Sequence, residues 1–162
     1  LPDKQIKKPI RIRPLFSGSY EHSIDAKGRL SIPSKFRETL IKKYDSRNIT
    51  LIIQDGCLLA YPEAVWSKMM QQCEALNPFD KQVLNFQRSF FSMAHELEVD
   101  SQGRVLIPPN LRNQAGLDKE VLIVGSANKF EIWDKGRWEE FSRSPQGDGW
   151  ALASQVFKAP QA

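Results

Sequence analysis

One nine-residue pattern occurs twice in this chain and constrains its fold more than any other feature. Asp25-Ala26-Lys27-Gly28-Arg29-Leu30-Ser31-Ile32-Pro33 returns as Asp100-Ser101-Gln102-Gly103-Arg104-Val105-Leu106-Ile107-Pro108. The register extends outward, with Phe16, Ser17, Glu21 and Arg37 returning as Phe91, Ser92, Glu96 and Arg112. From Phe16 to Arg37 the copies share nine identities in 22 positions, where average composition gives about one by chance. The chain is therefore a duplication, and function belongs to the repeated unit. A unit of roughly 45–50 residues does not easily bury a sufficient core alone. Two such units related by a pseudo-twofold axis could share one core, which is a physical reason for a duplication of this size.

Each copy predicts the same order of elements. In the first, a strand over 16–24, a tight turn with Gly28 at positive φ and a strand over 29–32 read as a hairpin. Pro33 suits a helix start, and helix 34–43 places Phe36, Leu40 and Ile41 on one face. Strands 49–53 and 57–61 follow around Asp55-Gly56. The second copy predicts strands 92–99 and 104–107, helix 109–115 ending at Gly116, then strands 120–124 and 129–133. Tyr61 and Trp133 occupy equivalent places, as do Trp66 and Trp138. Between the copies, helix 62–76 carries Val65, Trp66, Met69, Met70, Cys73 and Leu76 on one stripe and breaks at Asn77-Pro78. Helix 79–90 presents Val83, Phe86 and Phe90. The expected division is a flexible basic leader (1–15), a first unit (16–66), connecting helices (67–90), a second unit (91–141) and a flexible tail (142–162).

Composition narrows the function classes. No apolar run approaches the 18 or so residues of a membrane span, and the N-terminus lacks the apolar stretch of a secretory signal. Cys57 and Cys73 form no CxxC, and the only histidines are His22 and His95. This excludes a recognisable zinc site and fits reduced thiols in a cytosol. No nucleophile–base set or phosphate-binding glycine loop accompanies them, so the expectation is no enzyme, no cofactor, no metal and no small-molecule substrate. The net charge is +4. It resides in residues 1–14, where Lys4, Lys7, Lys8, Arg11 and Arg13 stand against Asp3, while the remainder is balanced. Any polyanion-binding surface in the folded part is then a local patch.

The doubled Asp-x-x-Gly-Arg turn, the Ile-Pro helix start and the Tyr/Trp-closed strands together resemble the MraZ family, within the AbrB-like, swapped-hairpin DNA-binding superfamily. The resemblance covers roughly residues 16–141. It implies a mainly β fold with helices (α+β), in which two tandem swapped-hairpin units form an intrachain pseudo-dimer and subunits assemble into a ring. It implies a cytoplasmic, nucleoid-associated transcriptional regulator. Its partner would be double-stranded DNA, at short direct repeats upstream of the division and cell-wall gene cluster that includes its own gene. A protein-interaction or antitoxin-type module on the same fold is the alternative. The family motif arginine faces DNA, which carries over to Arg29 and, by position, to Arg104.

Residue chemistry leaves two readings of Arg29 open. Its planar fork can take phosphate, or guanine O6 and N7; or it can pair with Asp25 and stiffen the turn. Asp25 and Asp100 read as turn-formers through Asx hydrogen bonds, and Gly28 and Gly103 as backbone devices. Lys27 at the turn tip and Lys35 and Arg37 near a helix N-terminus are candidate DNA contacts. Arg37 has the rival reading of an inter-unit ion pair. The second copy replaces Lys27 by Gln102 and Lys35 by Asn110. Residues 16–47 hold seven basic and four acidic side chains, residues 91–119 three and four. The first copy is therefore expected to dominate DNA binding, with the second mainly completing the fold.

Overall fold

The computed structural model describes residues 15–157. Residues 1–14, nearly all of the predicted leader, and residues 158–162 of the predicted tail lie outside the described part. Strands β1 (Ser19–Ser23), β2 (Arg29–Ser31), β3 (Asn48–Gln54) and β4 (Cys57–Pro62) belong to the first copy, with helix α1 (Ser34–Tyr44) between β2 and β3. Helices α2 (Glu63–Glu74) and α3 (Lys81–Phe91) connect to β5 (His95–Glu98), β6 (Arg104–Leu106), α4 (Pro109–Gln114), β7 (Glu120–Ser126), β8 (Lys129–Asp134) and α5 (Lys135–Arg143). Two 3-10 turns and the one-turn helix α6 (Ala153–Val156) follow. Among the described residues no helix is long and apolar enough to cross a membrane.

The strands form an antiparallel six-stranded sheet in the order β1-β7-β8-β4-β3-β5 and a separate two-stranded ribbon, β2-β6. The hairpin predicted over 16–32 is thereby corrected. β1 pairs with β7 of the other copy, Ser19 opposite Val124 through Ser23 opposite Glu120, and β5 pairs with β3. β2 pairs with β6, with Leu30 opposite Val105 and Arg29 opposite Leu106. The physical reason lies in the turn. The Gly28 carbonyl accepts from Ile107 N–H at 2.9 Å, and the Gly103 carbonyl from Ile32 N–H at 2.8 Å. Each turn thus hands its outgoing strand to the other copy. Exchanging the copies maps the β2–β6 register onto itself, and likewise β4–β8, where Leu58 faces Ile132 and Ala60 faces Phe130.

The core has two parts, one on each face of the sheet. β4 is buried along its whole length, and alternation divides its side chains between the faces. Leu58 and Ala60 join Phe16, Leu30, Phe36, Val105, Leu111 and Phe130 beneath the ribbon, α1 and α4. Cys57, Leu59 and Tyr61 join Trp66 and Trp133 beneath α2, α3 and α5. Several expectations shift. Ile41 is 46% exposed, whereas its neighbours on the predicted face, Phe36 and Leu40, are buried. Leu76 lies past the end of α2 and is exposed. The strand predicted over 92–99 shortens to His95–Glu98, because α3 runs on to Phe91. Phe90 stacks on Trp66 at 5.5 Å and Phe91 meets it edge-on at 6.3 Å, which anchors that helix end.

Candidate nucleic-acid interface

The repeated motif builds two copies of one turn. Asp25 Oδ1 accepts the backbone N–H groups of Lys27 and Arg29, each at 2.9 Å, and Oδ2 accepts Arg29 Nε at 2.7 Å. Asp100 accepts Gln102 and Arg104 N–H at 2.9 Å and Arg104 Nε at 3.1 Å. Gly28 at φ 84° and Gly103 at φ 78° take the backbone conformation that a side chain disfavours. Both carboxyls are held below the ordinary aspartate range. The backbone N–H of the motif arginine is the largest cause in each, followed at Asp25 by the arginine side chain.

This geometry aims both arginines. Leu30 and Val105, directly opposite each other, are buried under the ribbon. Period-two alternation then puts Arg29, Ser31, Arg104 and Leu106 on its outer face. Arg29 and Arg104 are diagonal neighbours there, about 7–8 Å apart at Cα. Each spends Nε on its aspartate. Among the described residues the terminal guanidinium nitrogens make no hydrogen bond to protein, with side chains 34% and 26% exposed. A planar fork held in one orientation, with its outer nitrogens free, is what bidentate recognition of phosphate or guanine requires.

The other candidates surround this ribbon unevenly. Lys27 is exposed at the first turn tip, where the second has Gln102. Lys35 is exposed in the first turn of α1, which carries no acidic residue there. Arg37 sits elsewhere: its Nε donates to the Ile32 carbonyl at 3.1 Å, and its guanidinium covers Gly103, the turn glycine of the other copy. Arg112 lines a pocket with Gly28 but does not cover it, and its Nε donates to the Leu117 carbonyl at 3.4 Å. Among the described residues neither makes an ion pair. Sequence reasoning does not single out Ser31 and Leu106, the latter 58% exposed. The signal that finds them is the alternation about Leu30 and Val105.

A family profile described as "MraZ protein, putative antitoxin-like" matches residues 15–88 and 90–148, one Asp-x-x-Gly-Arg turn in each segment. The chain belongs to the MraZ family. The protein named transcriptional regulator MraZ from Acetivibrio thermocellus is 49% identical over 142 residues, covering 88% of this chain and 96% of that one. Its namesake from Lachnoclostridium phytofermentans is 46% identical over 128 residues, 79% of this chain and 87% of that one. The MraZ of Moorella thermoacetica is 45% identical over 143 residues, again 88% of this chain and 96% of its own. None of these MraZ relatives is named as an enzyme.

Proposed function

We propose that this protein is a sequence-specific DNA-binding transcriptional regulator that reads its operator with the β2–β6 ribbon. One observation carries the reading: Arg29 and Arg104 lie on one outward face, each fixed by its aspartate and each with free terminal nitrogens. A two-stranded ribbon fits a major groove of about 12 Å, and arginine to guanine O6 and N7 is its commonest specific contact. Arg29 and Arg104 read bases; Lys27 and Lys35 take phosphates on the first-copy side and so orient the ribbon. Arg37 acts chiefly as a brace over the second turn. The names of the relatives support regulation of transcription.

In this reading residues 16–66 and 91–141 are two AbrB-like swapped-hairpin units forming an intrachain pseudo-dimer, joined by connecting helices 67–90. Subunits assemble into a ring, which presents the ribbon repeatedly to short direct repeats and gains affinity through effective concentration. The operators lie upstream of the division and cell-wall gene cluster, including the protein's own gene, and the protein works on the nucleoid. Selecting bound fragments from the source genome should return a short, regularly spaced repeat at that position. Light scattering should show one discrete species well above 18.5 kDa. Fragments without a shared repeat, or a monodisperse monomer, would overturn the reading. The description of the family profile supports an antitoxin-like alternative; a stoichiometric co-purifying protein together with no operator binding would decide for it.

A further inference from the structure

The two copies differ sharply at one place away from the ribbon. Where β3, β5 and the start of α2 meet, a cleft of about 320 Å³ is lined by Glu63, Glu96 and Glu98, together with Asn48, Thr50 and Trp66, and by no basic residue. Among the described residues none of these three carboxylates has a cationic partner. Glu63 is fixed there by Ser46 Oγ at 2.7 Å and Asn48 Nδ2 at 3.2 Å. Thr50 and Trp66 are 3% and 6% exposed. Among the described residues neither the Thr50 hydroxyl nor the Trp66 indole N–H makes a hydrogen bond, and no fully buried side-chain polar atom lacks a partner. Both residues line the cleft; the Thr50 hydroxyl oxygen can accept a hydrogen bond from a cation there, and Trp66 supplies an aromatic wall.

The other copy shows what the cleft lacks. Thr50 lies opposite Glu96 in β3–β5, as Leu122 lies opposite Glu21 in β1–β7. Trp138 stands for Trp66 and Lys135 for Glu63. At that second place Lys135 Nζ meets Glu21 Oε1 at 3.5 Å, so the site neutralises itself, and an apolar leucine replaces the threonine. In the first copy both members of that pair are glutamates. No three acidic or histidine side chains among the described residues converge as metal ligands would; a lysine or arginine head needs no such convergence.

We propose that the cleft binds a lysine or arginine side chain from residues 1–14 of the same chain. Charge complementarity selects that segment, which holds five basic residues against Asp3 and carries all of the net charge. Its point of attachment is also favourable. Phe16 is bridged to Ala127 at one end of the sheet, and the strand registers put Asn48, which lines the cleft, and Pro62, which precedes Glu63, at the same end. Four strand spacings of about 4.8 Å separate the two places, roughly 19 Å. Fourteen extended residues reach about 46 Å.

Carbodiimide coupling of the full chain tests this, because it joins lysines to carboxylates that they contact. Links from Lys4, Lys7 or Lys8 to Glu63, Glu96 or Glu98 are expected, with loss at high salt as the pairs are screened. A second measurement follows the fluorine resonance of fluorotryptophan at position 66. Replacing the five basic residues of 1–14 by glutamine should shift it. The same replacement should leave it unmoved in a Glu63→Lys background, which supplies the cation as Lys135 does. Leader lysines coupling across the surface without preference, or an unmoved resonance in the parent chain, would overturn the proposal. So would links found only between heavy and light chains in an isotope mixture, which would place the leader of a second copy in the cleft.

Discussion

Replacing Arg29 and Arg104 by alanine, singly and together, should separate DNA reading from folding. A bidentate arginine–guanine contact is worth about 1–3 kcal/mol of discrimination, and about 1.4 kcal/mol is tenfold in Kd. Each single variant should therefore lose roughly 5- to 150-fold in operator affinity per engaged subunit, with compounding losses in an assembly. The two Cα atoms are about 7–8 Å apart, which is two base steps at about 3.4 Å along a strand. That separation is at the limit of roughly 7–10 Å beyond which substitutions add when they share no partner, and the two arginines bond different aspartates, so the double variant should lose close to the sum of the singles. The melting temperature should hardly move, because Asp25 and Asp100 keep both backbone donors at 2.9 Å when the side chain is removed. Fluorescence anisotropy on operator and scrambled duplexes across a salt series is the assay. Equal losses on both duplexes, with the salt slope reduced by about one, would make the arginines phosphate contacts and refute base reading. A fall in melting temperature matching the affinity loss would return them to the turn. Lys27→Gln with Lys35→Asn, which installs the second copy's residues, should weaken both duplexes alike.

Three further outcomes follow from the turns and thiols. Gly103→Ala should destabilise more than Gly28→Ala: both bear positive φ, costing about 1–2 kcal/mol for a residue with a Cβ, but at Gly103 the Cβ would also press on the Arg37 guanidinium at 2.7 Å, and thermal melts compare them. Asp25 and Asp100 have folded pKa values below their unfolded ones, so their contribution to stability is complete above the unfolded value, about 3.9, and is lost as pH falls through the folded values; the Asp25→Asn/Asp100→Asn variant should show a flatter decline of stability in acid. Cys73 should alkylate well before Cys57 in the native protein, because Cys57 is 2% exposed and its thiol is pushed up to about 12, first by burial and then by Glu131 and Asp55; mass spectrometry after timed iodoacetamide treatment reads the order.

The duplication and most elements were legible because local chemistry writes them: Pro33 opens α1, Gly116 follows α4 at φ 58°, and Asp55-Gly56 turns β3 into β4. The partners of β1, β2, β5 and β6 were not legible in the residues themselves; only the resemblance to a swapped-hairpin family implied an exchange. A strand–turn–strand segment looks the same whether its arms pair with each other or with another copy. The decision rests on distant groups such as the Ile107 N–H that Gly28 receives. Ile41 has the spacing of a core residue, but tertiary placement turns it outward. The arginines of the motif were legible as candidates; their shared face was not, because it follows from the β2–β6 register. The acidic cleft was invisible, since Glu63 and Glu96 meet only through β3 and α2.

The exchange of strands also sets a timetable for synthesis. Ser23 leaves the ribosome with its strand but meets its partner Glu120 only 97 residues later. At roughly 5–20 residues per second, the nascent chain carries β1 without its partner strand for about 5–20 s. The charged and hydroxyl residues of that strand, Ser19, Glu21 and Ser23, are poor material for aggregation during the wait. A ribosome pause in the α2–α3 segment would prolong the time in which two nascent chains on one messenger could take each other's strands.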